Sequence, residues 1–142
     1  MPSIRFFYED VKFRLPKSSR TRSWIKAAIL SEKRKLGELN YIFCSDEDLA
    51  VINRQYLNHN TFTDIITFDG NEGDGYVQGD IYISVDRVRE NALMYKTEFS
   101  KELHRVIIHG VLHLIGYSDK SKSAKVAMRY KEDAYLSLLN DL

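Results

Sequence analysis

Cysteine is almost missing from this chain of 142 residues, where Cys44 stands alone. No disulfide can form within the chain, and the usage fits a reducing compartment, with Cys44 itself read as a buried strand residue. No apolar run is long enough to span a bilayer, and Met1-Pro2-Ser3 begins nothing like a charged-then-apolar signal peptide. The chain is therefore expected in the cytoplasm, with no membrane partner. Repeats, linkers and low-complexity segments are lacking too, which leaves one domain over residues 1–142, long enough to bury a core without staples.

Net charge is also close to absent, at +1 with the histidines neutral, and taken whole it argues neither for nor against nucleic acid. Its distribution says more. Lys12, Arg14, Lys17, Arg20, Arg22, Lys26, Lys33, Arg34 and Lys35 crowd the first quarter, whereas acids dominate from Glu38 to Asp74. A basic flank beside an acidic middle suits contact with a polyanion on one face, although a solvated helix face is the simpler account of charge alone.

The residues that are present alternate between strand and helix patterns. Ile4 to Tyr8 is β-branched and aromatic enough for a strand. After Pro16, Ser18 or Ser19 caps a helix whose Trp24, Ile25, Ala28, Ile29 and Leu36 recur at helical spacing as far as Gly37. Leu39 to Cys44 reads as a buried strand. Ser45 with Asp48 resembles a capping box for a helix with Leu49, Ile52 and Tyr56 inward, ending between Leu57 and Asn60. Strands are expected at Asp64 to Phe68 and Asp80 to Val85, joined by a glycine-rich link that fails as a calcium loop because Asp74 sits where glycine is required.

Three helices close the pattern. Asp86 is expected to cap one with Val88, Ala92 and Tyr95 inward. Another starts at Ser100 and is apolar nearly all round, which marks it as the central buried helix. The last, about Ser121 to Asn140, packs through Ala127, Tyr130, Ala134 and Leu138. The order βαβαββααα predicts an α+β single domain: a mixed four-stranded sheet packed with about five helices.

Chemistry concentrates in the run from His109 to Asp119 at the end of that central helix. Residues four apart on a helix lie about 40° apart around the axis and roughly 6 Å along it, so His109 and His113 can reach one metal ion. Asp119 would lie roughly 15 Å up the axis from His109 if the helix ran on, so the chain must turn back, and Gly116 sits where a helix stop would turn it. Two imidazoles and a carboxylate suit zinc, with other divalent transition metals possible. Three ligands leave a position open to water, whose pKa zinc lowers to about 7, as hydrolysis of an ester, amide or phosphodiester requires.

Satisfied core histidines are the competing reading for this pair, and the glycine stop with its carboxylate weighs against it. A structural zinc would need a fourth protein ligand from His59, His104, Cys44 or a distant carboxylate. His104 lies about 140° round the helix from His109 and is expected to face elsewhere. His109, His113, Gly116 and position 119 also reproduce the spacing of the extended zinc-peptidase pattern, but Gly110 stands where that chemistry places its glutamate base. Gly110 is read as a site of close packing or open approach.

The run from His109 to Tyr117 resembles the HGxLHLxGYDH signature of the YbeY endoribonucleases, the bacterial rRNA maturation factors. Thr63-Asp64-Ile65-Ile66-Thr67-Phe68 is similar to that family's TDVLSF strand, Gly79 to Ser84 to its GDI-I-S strand, and Met128 with Glu132 to its closing helix. The resemblance implies a metal-dependent, single-strand-favouring endoribonuclease in 16S rRNA maturation and ribosome quality control. It implies zinc, one ion per chain held by His109, His113 and Asp119, and as partners rRNA, small-subunit components and a ribosome-assembly GTPase. The basic first helix, through Arg20, Arg22 and Lys26, is then expected to contact RNA. Alternatives are a ribosome-assembly RNA-binding module with a structural metal, or a zinc hydrolase of peptides or small esters.

Two departures from the signature bear on that reading. Ser118 and Asp119 stand where it has aspartate and a third histidine, and an anionic oxygen lowers the net charge of the site. Where the family has Tyr-Arg-x-Lys-Asp, this chain reads Tyr56-Leu57-Asn58-His59-Asn60. Leu57 cannot contact phosphate, which leaves Arg54 and His59 as candidate substitutes.

Overall fold

The computed structural model describes residues 2–57 and 63–140. The β-branched and aromatic opening forms β1 (Ser3–Tyr8), and α1 (Ser18–Ser31) buries Trp24, Ile25, Ala28 and Ile29. β2 (Lys35–Cys44) is followed by α2 (Asp46–Leu57), whose first turn sets Asp46, Glu47 and Asp48 against the positive end of the helix dipole. Ser45 caps α2 by accepting the Asp48 amide at 3.1 Å. β3 (Ile65–Asp69) and β4 (Tyr76–Ser84) complete the strands, and α3 (Val85–Met94), α4 (Phe99–Ile115) and α5 (Lys122–Leu139) follow in succession.

The sheet runs β1-β2-β4-β3, parallel across the first three strands in space, with β3 antiparallel on the edge. Among the described residues this is the α+β architecture expected, four mixed strands and five helices. Strand alternation assigns the two faces. Leu39, Tyr41, Phe43, Ile81 and Ile83 point into the main core with Trp24 of α1 and Leu103, Ile107 and Val111 of α4. Cys44 and Ile66 point the other way, onto Leu49 of α2. Each fully buried large side chain contributes roughly 1.5–3 kcal/mol, set against the entropy of ordering it. Burial, reinforced by the carboxylates of Asp48, Glu9, Asp86 and Asp46, pushes the Cys44 thiol up to about 12, which makes it inert.

Helix α4 is the centre of the domain. Its Leu103, Val106, Ile107, Ile108, Val111, Leu112 and Leu114 are all buried. Two buried hydrogen bonds lock it and α5 in place: Tyr41 Oη donates to the Ile107 carbonyl at 2.9 Å, and Trp24 Nε1 donates to that of Tyr135 at 2.7 Å. His104 faces away from the histidine pair, edge-on to Trp24 with centroids 5.7 Å apart.

Several expectations shift. α1 stops at Ser31 rather than Gly37, because Lys33 takes a left-handed φ of 59° and releases the chain into β2, where Leu36 pairs with Val77. β4 likewise starts early, at Tyr76, and Val85 belongs to α3, whose cap is Ser84 accepting the Arg87 amide at 3.1 Å. Asp86 lies in the first turn. Tyr56 and Tyr95, expected inward, are exposed, since the single helix α2 covers only part of its face and Tyr95 follows the last residue of α3. α5 is turned by one residue, about 100°, from the expected stripe. Met128, Glu132, Tyr135 and Leu139 face inward and Ala127, Tyr130 and Ala134 face solvent, because Glu132 is engaged from α4 by the Arg105 guanidinium and the His109 ring.

Candidate metal centre and its groove

His109 and His113 sit on one face of α4 with ring centroids 4.6 Å apart and planes at 73°. The helix then ends in a Schellman arrangement: the Gly116 amide donates to the His113 carbonyl at 3.1 Å and the Tyr117 amide to that of Leu112 at 3.0 Å. Gly116 reaches φ 127°, which side chains rarely adopt, and the reversal returns Asp119 to the pair. Asp119 Oδ2 lies 3.5 Å from His109 Nε2 and 3.6 Å from His113 Nε2. Tetrahedral zinc with bonds of about 2.0–2.2 Å separates its ligands by roughly 3.3 Å. The donor atoms all lie within 4.8 Å of one another, so the three residues fit a divalent transition metal.

Support for the histidines comes from α5. The buried Glu132 accepts the His109 Nδ1 proton at 2.7 Å, which leaves Nε2 free to face Asp119 and His113. Glu132 Oε1 accepts from Arg105 Nη1 at 2.9 Å, and Arg105 Nη2 donates to Asp133 at 2.7 Å. Burial pushes the His109 pKa down, but the Glu132 carboxylate outweighs it and the net shift is upward. His113 goes the other way, lowered by burial and by the neighbouring His109.

The loop bearing Asp119 is held by the end of α1. Tyr117 Oη donates to Glu32 Oε1 at 2.7 Å, Lys131 Nζ to Glu32 Oε2 at 3.0 Å, and the Tyr135 hydroxyl to the same carboxylate. Burial alone would raise the Glu32 pKa, but these donors bring it below its usual value. Arg34 Nη1 donates to the carbonyl of Ile115 at 2.8 Å, capping the last residue of α4. Gly110 is explained by packing: a Cβ there would meet Ile65 Cδ1 and two Ile81 atoms at 3.0 Å, so its absence lets α4 lie against β3 and β4.

The donors open on a groove of about 1120 Å³ bounded by β3, α4, α5 and the end of α3. Half-buried Asp64 and buried Glu102 line it, each with its carboxyl pKa raised chiefly by desolvation. None of Arg20, Arg22, Lys26 and Arg54 lines this groove. Arg20 donates to the Leu139 carbonyl at 2.7 Å, and Arg22 to that of Ile4 at 2.9 Å with its guanidinium over Phe6. Lys26 is exposed on α1, while Arg54 belongs to α2, across the sheet from α4. His59 lies outside the described residues. Glu132, Arg105, Glu32 and Asp64 were not singled out from sequence as site residues; Glu132 and Asp64 entered only within the motifs that carry the family resemblance, and Arg105 and Glu32 gave no local signal.

An apolar helix that presents two imidazoles and recovers a carboxylate from its following loop defines a class: an α+β domain with a helix-borne His-His-Asp group able to hold a metal ion beside a sheet edge. Comparison with known proteins gives the family. The model of the family described as Endoribonuclease YbeY matches residues 7–140. The chain is 50% identical over 136 residues to the Endoribonuclease YbeY of Cytophaga hutchinsonii, covering 96% of this chain and 95% of that one. It is 51% identical over 137 residues to its counterpart in Flavobacterium psychrophilum, covering 96% of each. The solution structure of a Thermotoga maritima protein superposes with a TM-score of 0.66 at 30% identity, covering 96% of this chain and 89% of that one. This chain belongs to the endoribonuclease YbeY family. No helix among the described residues is long and apolar enough to cross a membrane.

Proposed function

We propose that this protein is a zinc-dependent endoribonuclease that cuts single-stranded RNA during 16S rRNA maturation and ribosome quality control. The observation that carries the reading is the meeting of His109, His113 and Asp119 at the wall of a large groove, in a member of this family. His109 Nε2, His113 Nε2 and an Asp119 oxygen would hold the ion. When bound, it supplies Lewis acidity and positive charge to a phosphodiester under attack. Glu132 fixes the tautomer and ring orientation of His109, and its pairing with Arg105 keeps that carboxylate in place. The Asp119 carboxylate lowers the charge of the site relative to a third imidazole, a choice that zinc tolerates and that also admits manganese or nickel. Ribosomal small-subunit components and a ribosome-assembly GTPase are the partners this reading carries, and the cytoplasm its place.

The test is cleavage of single-stranded rRNA fragments by the purified protein beside His113→Ala and Asp119→Ala. Wild type is expected to cut, and both variants to lose activity. Equal cleavage by all three would assign the activity to a contaminant and sink the catalytic assignment. Chelation should abolish cleavage, and adding back zinc should restore it.

A further inference from the structure

The groove has a second chemical feature besides its donors. On α5, Lys125, Val126, Arg129 and Tyr130 recur at a spacing of three and four, so they share one face, and all four line the groove. Val126 is 66% exposed and Tyr130 72%, and Tyr95, at the end of α3 on the same groove, is 61% exposed. Large rings left this open, with no ring or hydrogen-bond partner among the described residues, are not serving the core. Lys125 and Arg129 likewise make no side-chain ion pair or hydrogen bond there, unlike Arg105, which Glu132 and Asp133 occupy. Available cations thus alternate with available aromatic faces along one wall, next to the candidate metal donors.

We infer that this α5 face is the strand-binding subsite of the groove, with Lys125 and Arg129 pairing with backbone phosphates and Tyr130 and Tyr95 stacking on unpaired bases. The inference rests on the ribonuclease reading above and adds to it the residues that hold the substrate. Single-stranded nucleic acid is the occupant that fits, because every base offers a π-face to an exposed tyrosine, whereas a duplex keeps its bases stacked inside. A volume of about 1120 Å³ exceeds the range usual for small-molecule pockets and suits a segment of polymer. The side chains of Arg20 and Arg22 are turned to structural tasks, so the abundant cations of α1 are poorly placed to replace this pair.

The experiment is fluorescence anisotropy of a short labelled single-stranded RNA of mixed sequence, bound to the full chain carrying His113→Ala so that it is not cut. Across a salt series, the double variant Lys125→Ala/Arg129→Ala should flatten the slope of log affinity against log salt by about 1.4, two contacts at roughly 0.7 each. Tyr130→Ala should weaken binding about tenfold with the slope unchanged, and Tyr130→Phe should retain it. On the otherwise wild-type chain, the double variant should raise KM far more than it lowers kcat. All these side chains are exposed, and unchanged melting will show that the variants fold. Binding within about twofold of the parent by both Lys125→Ala/Arg129→Ala and Tyr130→Ala, with wild type still cutting RNA, would overturn the subsite and leave the ribonuclease reading standing; so would a slope that flattens on Lys26→Ala instead. If the parent binds no RNA and wild type cuts none, the ribonuclease reading fails and the subsite with it.

Discussion

The two arms of the candidate metal centre are built differently. His109 and His113 are fixed by a buried helix, with Glu132 behind one of them, whereas Asp119 hangs on a loop whose position depends on Gly116 and on the Tyr117 to Glu32 hydrogen bond. A helix sets two ligands by its own geometry. A loop ligand has to be held by contacts from elsewhere in the chain, here from the end of α1, which is 85 residues away at Glu32. The helical arm should therefore dominate metal affinity, and the loop arm should tune it.

Removing a ligand of the helical arm has the largest effect. His113→Ala should lower zinc affinity by more than the roughly 10–100-fold typical of an outer-sphere change, read by competition with a chromophoric chelator, and should abolish cleavage. Glu132→Gln leaves every ligand in place, and the same competition should show a loss of about 10–100-fold. Glu32→Gln touches no candidate ligand and acts through the Tyr117 contact that holds the loop and through Lys131 and Tyr135 of α5. It should cost a few-fold in zinc affinity but roughly 1–3 kcal/mol in urea unfolding, because the part-buried hydroxyls of Tyr117 and Tyr135 and the Lys131 ammonium lose their charged partner. A loss of zinc affinity as large as that of Glu132→Gln would reverse the ranking of the arms.

Gly110→Ala tests whether the helix position matters apart from its ligands. The added methyl meets Ile65 and Ile81 at 3.0 Å, and should destabilise the fold by about 1–3 kcal/mol. The smallest effect is electrostatic. In the metal-free protein, NMR titration should find His109 above and His113 below the usual histidine pKa. The raised His109 contributes stability below its unfolded pKa that is lost as pH rises through its folded value. The depressed His113 contributes stability above its unfolded pKa that is lost as pH falls through its folded value, so the two oppose each other in the unfolding free energy. Identical titration of the two rings would remove Glu132 as the distinguishing partner.

How much of this could be read beforehand follows from how local each feature is. The i, i+4 histidines, the glycine stop and the apolar run around them are local, and the pattern placed them on a central buried helix. The sheet was legible where the apolar run Leu39 to Cys44 and the alternation from Asp80 to Val85 are local signals, and the first residues of β2 and β4 were not, because they lack either. The rotation of α5 was not, because Glu132 reads as a surface residue until Arg105 and His109 are seen across from it. Cations misled in the same way. The first quarter holds many, but Arg20, Arg22 and Arg34 donate to backbone carbonyls, and Arg14 lies over the ring of Tyr8. Lys125 and Arg129 attract no notice in the sequence, yet both face the groove. Counting charge along a chain gives its amount, and only packing decides what is left for a ligand.

The central claim is that two helical imidazoles and one loop carboxylate form a single metal site. Equilibrium dialysis against zinc, with metal analysis of the wild-type chain, His113→Ala and Asp119→Ala, addresses it directly. The account expects one equivalent per wild-type chain, none retained by His113→Ala, and weakened but measurable binding by Asp119→Ala. Full occupancy of both variants at the wild-type affinity would contradict it.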